Sequence, residues 1–133
     1  MTPRLHAAYR RSPYEAAGAT ARIGRRSPAI DALLARLGAR QGGFVGAWNP
    51  FSRRMPRGWN DRLLARLRLA ARRLPQAEGW GGDASWREEH LLLAGDPRRL
   101  AVLGRRFRQN AIVVLRAGQP ARLRWLRPAA GKM

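Results

Sequence analysis

Two strictly apolar runs in this chain, residues 91–94 and 111–115, are separated by a helix start. Asp96 can cap that helix and Pro97 suits its first position. Leu100, Leu103 and Phe107 then fall toward one face. The pattern reads as a strand–helix–strand unit, with its two strands predicted parallel and joined by a right-handed crossover. Gly118-Gln119-Pro120 turns the chain into a last strand over residues 122–126, antiparallel to the one before it. Neither apolar run approaches the roughly 20 residues that a membrane-spanning helix needs.

Upstream the same logic finds shorter elements. Residues 9–24 alternate weakly around Ala17-Gly18, a hairpin turn. Ser27-Pro28 opens a helix whose Ile30, Leu33, Leu34 and Leu37 share a face, and Gly38 ends it. Residues 43–48 read as a buried strand stopped by Asn49-Pro50. Asn60 is read as the cap of a helix running to residue 74, with Leu63, Leu67, Ala70 and Leu74 inside. The glycine-rich stretch 76–85 is read as loop, and residues beyond Pro128 are expected to fray. The expectation is one α/β or α+β layered domain spanning 1–133, ordered over about 9–127, with a mixed sheet of about five strands and three helices.

Composition limits the chemistry. The 133 residues include no cysteine and only two histidines, His6 and His90, which excludes thiol nucleophiles, disulfides and cysteine or multi-histidine metal sites. Lys+Arg is 27 against 8 acids, a formal charge of +19. All the basic residues but Lys132 are arginine, as in a GC-rich coding bias, but that bias does not explain the shortage of acids. Residues 97–133 carry no acid, and residues 53–73 set their arginines against Asp61 alone. Such a surface attracts polyanions at low salt, although arginine on solvated helix faces gives the same count. The N-terminus lacks an apolar signal core, and its arginine-rich first residues read as a hairpin before they read as a transit peptide. The expected location is therefore cytoplasmic.

Three polar motifs stand out: Ala47-Trp48-Asn49-Pro50-Phe51-Ser52, Trp86-Arg87-Glu88-Glu89, and Phe107-Arg108-Gln109-Asn110-Ala111. Together, in this order, they resemble the uncharacterised bacterial family catalogued as domain of unknown function 3293, over about residues 9–126. The family's pattern is an A-W-N-P-x-S run, a W-x-E-E-S run and an F-G-Q-N-A run. This chain departs from it at Gly46, where Thr is usual, at His90, where Ser is usual, and at Arg108, where Gly is usual. The resemblance implies a shared fold and grouping of these residues. It brings no established activity.

Each motif has a structural and a functional reading. Asn49 and Ser52 fit turn chemistry, or a polar pair at a strand end where α/β sheets place ligands. Glu88 and Glu89 are adjacent on a strand and must point to opposite faces, so they are no paired acid–base couple. In so basic a chain each is expected to anchor to an arginine. No oxygen ligand beyond Asp83 lies near enough in sequence to argue for a metal. Gln109 and Asn110 fit a helix end, or amide recognition of a ligand edge. His90 reads as a packed or edge residue. Trp48 and Trp86 fit the core, whereas Trp59, Trp80 and Trp125 lie beside arginine or glycine and could stack bases.

Two functions compete. The first is a small non-catalytic binding domain for nucleic acid or another polyanion, using Arg53, Arg54, Arg57, Arg62, Arg66, Arg105, Arg106, Arg122 and Arg124. The second is a small-molecule or nucleotide-binding domain, or an enzyme, built from Asn49, Ser52, Glu88, Glu89, Gln109 and Asn110. It carries a geometric condition. In a parallel sheet Asn49 lies about a strand length, roughly 17–20 Å, from Glu89 and Asn110. They meet only if the strand before Asn49 runs antiparallel to the other two. A third reading, in which the motifs only hold the fold and a protein partner carries the function, has no sequence feature for or against it. No cofactor, metal or catalytic residue is assigned.

Overall fold

A computed structural model describes residues 3–83 and 85–127. The chain forms α1 (Pro3–Arg11), β1 (Pro13–Ala16), β2 (Ala19–Arg22), α2 (Pro28–Arg36), β3 (Gln41–Gly46), α3 (Arg57–Ala70), β4 (Gln76–Gly82), β5 (Arg87–Ala94), α4 (Pro97–Arg106), β6 (Ala111–Arg116) and β7 (Arg122–Trp125). The strands make one seven-stranded sheet in the order β2-β1-β4-β5-β3-β6-β7. Every neighbouring pair is antiparallel. The sheet curls into a half-barrel, and its two edges meet where Ile23 bridges Ala121.

This corrects the expected mixed sheet of five strands and three helices. Strands β5 and β6 do run in the same direction, but they are not partners: β3 lies between them and is antiparallel to both. Helix α4 crosses over β3 to join them. The glycine-rich stretch read as loop is strand β4. Its glycines are there because other groups approach closely: a Cβ on Gly81 would lie 2.6 Å from the Tyr14 ring and 2.7 Å from His90 Cε1. Helix α1 is an addition to the expected elements, and none of its residues is fully buried. Helix α3 starts earlier than predicted, with Pro56 at its N-cap, so Asn60 lies inside it. Of the expected stripe, Leu67 and Leu74 are buried and Leu63 and Ala70 pack partly buried against the same core, joined by Asn60 and Leu64. The residues beyond Pro128, expected to fray, lie outside the described part of the chain.

The predicted caps at Ser27 and Asp96 hold, unlike the one at Asn60. Ser27 Oγ accepts from Ile30 N at 3.2 Å, and an Asp96 carboxylate oxygen accepts from Arg98 N at 2.9 Å. Such a cap contributes ~1 kcal/mol.

The period of two sorts the strands onto two faces. Val45, Leu91, Leu93, Ile112 and Val114 pack under α3 and α4 on the convex side. Tyr14, Ala16, Phe44, Leu92, Val113 and Leu115 pack around α2 on the concave side. Glu88 and His90 share Leu92's parity, so they belong to the concave face. No helix among the described residues is long and apolar enough to cross a membrane.

Candidate functional site

Because β3 is antiparallel to β5 and β6, its C-terminal end meets the N-terminal ends of both. The geometric condition is therefore fulfilled, and the three polar motifs come together. Asn49 is buried and fully engaged. Its Nδ2 donates to Glu88 Oε2 at 2.9 Å, and its Oδ1 accepts from Asn60 Nδ2 at 2.9 Å and Met55 N at 2.8 Å. Its own N–H donates to Asn60 Oδ1 at 2.9 Å. Asn60 thus staples the loop to α3 instead of capping the helix. Gln109 Nε2 donates to the carbonyls of Trp48 and Phe107, both at 3.1 Å. Asn110 Nδ2 donates to Ser52 Oγ at 2.8 Å.

The loop that carries Asn49 and Ser52 is bent into an unusual path. Asn49, Phe51 and Ser52 all have positive φ, at 47°, 53° and 63°. Phe51 N donates to the carbonyl of Arg108, itself at φ 56°. Left-handed residues other than glycine cost energy, and four of them are concentrated here.

Above this network lies a cleft of about 560 Å³ on the concave face, walled on one side by α1. Leu5, Ala8, Tyr9, Tyr14 and Trp86 give it an apolar lining; Ser52, Glu88 and His90 supply polar groups, and Arg4, Arg11 and Asp83 also line it. Tyr9 hydroxyl lies 3.0 Å from Ser52 Oγ, and Tyr14 hydroxyl donates to the Tyr9 carbonyl at 2.8 Å. His6 stacks on Trp125 at 5.7 Å and Tyr9 meets the same ring edge-on at 5.2 Å, which docks α1. Burial raises the pKa of both tyrosines; for Tyr9 the Ser52 hydrogen bond opposes it and the Glu88 charge adds to it. Hydrogen bonds from the Ser85 hydroxyl and the backbone hold Asp83 below the usual carboxylate range.

Glu88 is an enclosed acid of the cleft, with a side chain 13% exposed. Its Oε2 accepts from Asn49 Nδ2 and, at 2.8 Å, from Trp86 Nε1. Its Oε1 lies 3.8 Å from His90 Nε2. The expected arginine anchor is missing. Glu89 points to the opposite face, as the strand period requires, and stands 3.9 Å from Arg57. It is not part of the cleft. His90 sits in a bed of glycines, paired across the sheet with Gly46 and Gly79. Its Nδ1 is buried without a hydrogen-bond partner. No group of three or more metal-ligating side chains exists among the described residues.

Of the six motif residues, Asn49, Gln109 and Asn110 are buried supports, Ser52 and Glu88 reach the cleft, and Glu89 turns away. Sequence reasoning missed Tyr9, Tyr14, Trp86 and His90. The alternation of Glu88, His90 and Leu92 is the available signal for His90. Trp86, expected in the core, lines the cleft instead.

The arginines of the polyanion reading lie on several elements. Arg54 lies 4.5 Å from the Trp86 ring centre, and Arg57 is drawn to Asp61, Glu89 and Trp48. Arg53 is exposed in the loop after Ser52. Arg62 and Arg66 lie exposed on α3, and Arg105 and Arg106 end α4. Arg122 and Arg124 share the convex parity of Val114 and Ile112 and line a groove with Arg116.

The fold and site define a curled antiparallel half-barrel, covered by helices on both faces, with a small-molecule-sized cleft on its inner side. The chain belongs to the family described as Protein of unknown function (DUF3293), whose model matches residues 45–112, just over half its length. That stretch contains all three polar motifs; α1, the β1–β2 hairpin and β7 lie outside it. No curated protein and no solved structure matches.

Proposed function

We propose that this chain is a binding domain for a small organic ligand held in the concave cleft. The carrying observation is the convergence itself. Three motifs distant in sequence place buried, hydrogen-bonded amides so that Ser52 and Glu88 are presented to one cleft, on a backbone bent at Asn49, Phe51, Ser52 and Arg108. A volume of about 560 Å³ with an apolar lining and few polar groups is what small-ligand sites have in common. Binding is favoured over catalysis because Ser52's partners, an amide and a phenol, are not bases at neutral pH. The test is an NMR screen with small aromatic fragments of mixed charge. Perturbations should centre on Tyr9, Tyr14, Ser52, Trp86 and His90. Uniformly weak or scattered shifts sink the reading.

A second reading has its own observation. Arg116, Arg122 and Arg124 line a groove of about 530 Å³ that contains no acidic residue, and none of the three is in an ion pair. This groove suits the phosphates of a polyanion. Binding of a short single-stranded oligonucleotide should appear at ~50 mM salt and weaken steeply as salt rises. No binding at ~50 mM salt removes this reading.

A further inference from the structure

We propose that the ligand of the concave cleft is an organic ammonium ion on an aromatic or other apolar body, bound through Glu88 Oε1. This deepens, and rests on, the reading of the cleft as a binding site.

The argument begins with an absence of pairing where pairing is easiest. The chain carries 27 basic residues against 8 acids. Four exposed or half-exposed acids, Asp61, Glu78, Glu89 and Asp96, take arginine partners. Glu88 is 13% exposed and has none. A carboxylate withdrawn from water is costly unless a cation accompanies it. The arginines close to it in sequence or in its network are directed elsewhere. Arg54 lies over the Trp86 ring, Arg87 lies 4.4 Å from the centre of Trp80, and Arg57 reaches Glu89. Those that line the cleft, Arg4 and Arg11, make no ion pair with Glu88. His90 Nε2 stands beside it at 3.8 Å, beyond hydrogen-bond length.

The two carboxylate oxygens are not equivalent, and this selects among cations. Oε2 accepts from both Asn49 and Trp86, which uses its two lone pairs. Among the described residues Oε1 receives no hydrogen bond. A planar guanidinium or amidinium fork pairs best with both oxygens. A single ammonium N–H needs one. The rest of the cleft, with Tyr14, Trp86, Tyr9, Leu5 and Ala8, suits an apolar body, and its aromatic faces favour a nearby positive charge.

The probes are 2-phenylethylamine, its neutral counterpart 2-phenylethanol, and benzamidine, titrated into the full chain at ~150 mM salt to screen the net charge. Shifts of Trp86 and Tyr14 signals give affinities. The amine should bind at least about tenfold more tightly than the alcohol, as expected for a charged hydrogen bond, and more tightly than benzamidine. Glu88→Gln should abolish the amine's advantage over the alcohol. Equal binding of amine and alcohol to the wild-type chain overturns the ammonium assignment while the cleft reading stands. So does preference for benzamidine, or binding confined to neutral or anionic fragments. If no fragment of any charge perturbs the cleft, the binding reading itself falls. The wild-type comparison decides the matter even if Glu88→Gln does not fold.

Discussion

Two of the three departures from the family pattern are neighbours in space. Gly46 and His90 face each other across β3 and β5. A Cβ on Gly46 would lie 2.8 Å from His90 Cδ2 and 3.0 Å from Gln109 Oε1. The ring therefore occupies the room that a threonine at 46 would need, and the glycine permits the histidine. Gly46→Thr should destabilise the chain by about 1–3 kcal/mol through overpacking. In a His90→Ser background most of that cost should vanish, giving a coupling visible in urea unfolding of the four species. Additive effects would show that the two departures are independent. The third departure, Arg108, has a backbone cause. Helices α2 and α4 both end in the same motif, with Gly38 N donating to the Ala35 carbonyl and Arg108 N to that of Arg105. Ala39 N and Gln109 N reach back to Leu34 and Gly104 in the same way. The residue in the left-handed position is glycine in α2, at φ 75°, and arginine in α4, at φ 56°. Arg108→Gly should stabilise the chain by about 1 kcal/mol, read as a higher urea midpoint at unchanged slope.

At the scale of elements, α1 is attached to the body largely through side chains. Tyr9 and Tyr14 are the chain's two tyrosines; the Tyr14 phenol ties β1 to α1, and the Tyr9 phenol ties α1 to Ser52 in the loop after β3. Burial raises both pKa values above the ordinary 10.0. The folded state thus keeps protons that the unfolded state loses. The stability this gives is complete below the unfolded value of about 10 and is lost as pH rises through the raised folded values. Absorbance at ~295 nm, where tyrosinate absorbs (an ordinary phenol ionises near pH 10), should stay flat through pH 10 and rise only together with loss of structure. A smooth rise centred on 10 in the folded chain would place at least one phenol in water. The same helix shows what a sequence can and cannot reveal. Helices α2 and α4 are legible because capping residues, proline and an apolar face agree. Helix α1 has no fully buried residue, and its stripe is only the short set Leu5, Ala8 and Tyr9 in an arginine-rich segment that reads as the start of a hairpin. Strand β4 is hidden by Gly79, Gly81 and Gly82, which serve neighbouring groups and not the strand's own propensity. The polar motifs are legible as a set, and their meeting depends on the direction of β3. That direction is decided by which strands pair, a long-range choice that local spacing does not encode.

For the whole molecule the governing influence is charge. Among the described residues the arginines in ion pairs are Arg57, Arg68 and Arg98, on exposed or half-exposed carboxylates. Pairs of this kind contribute little, and the +19 is the excess that remains after every acid is counted. Like charges spread over one small domain repel, and the compact state carries the larger share of that repulsion. Raising sodium chloride from ~20 to ~200 mM shortens the screening length from about 20 Å to about 7 Å. The melting temperature should therefore rise by a few degrees, and a salt-independent or falling value would mean that the arginines are internally balanced. The same measurement separates general screening from a specific polyanion groove. Sodium chloride and polyphosphate matched in ionic strength must act alike if only screening operates. A groove built by Arg116, Arg122 and Arg124 instead lets polyphosphate stabilise the chain further, by binding that grows with its concentration. Arg122→Ala combined with Arg124→Ala should remove that extra stabilisation and keep the chloride response. If polyphosphate and chloride coincide at equal ionic strength, the arginine surface is a consequence of composition, and the concave cleft is left as the functional face of the molecule.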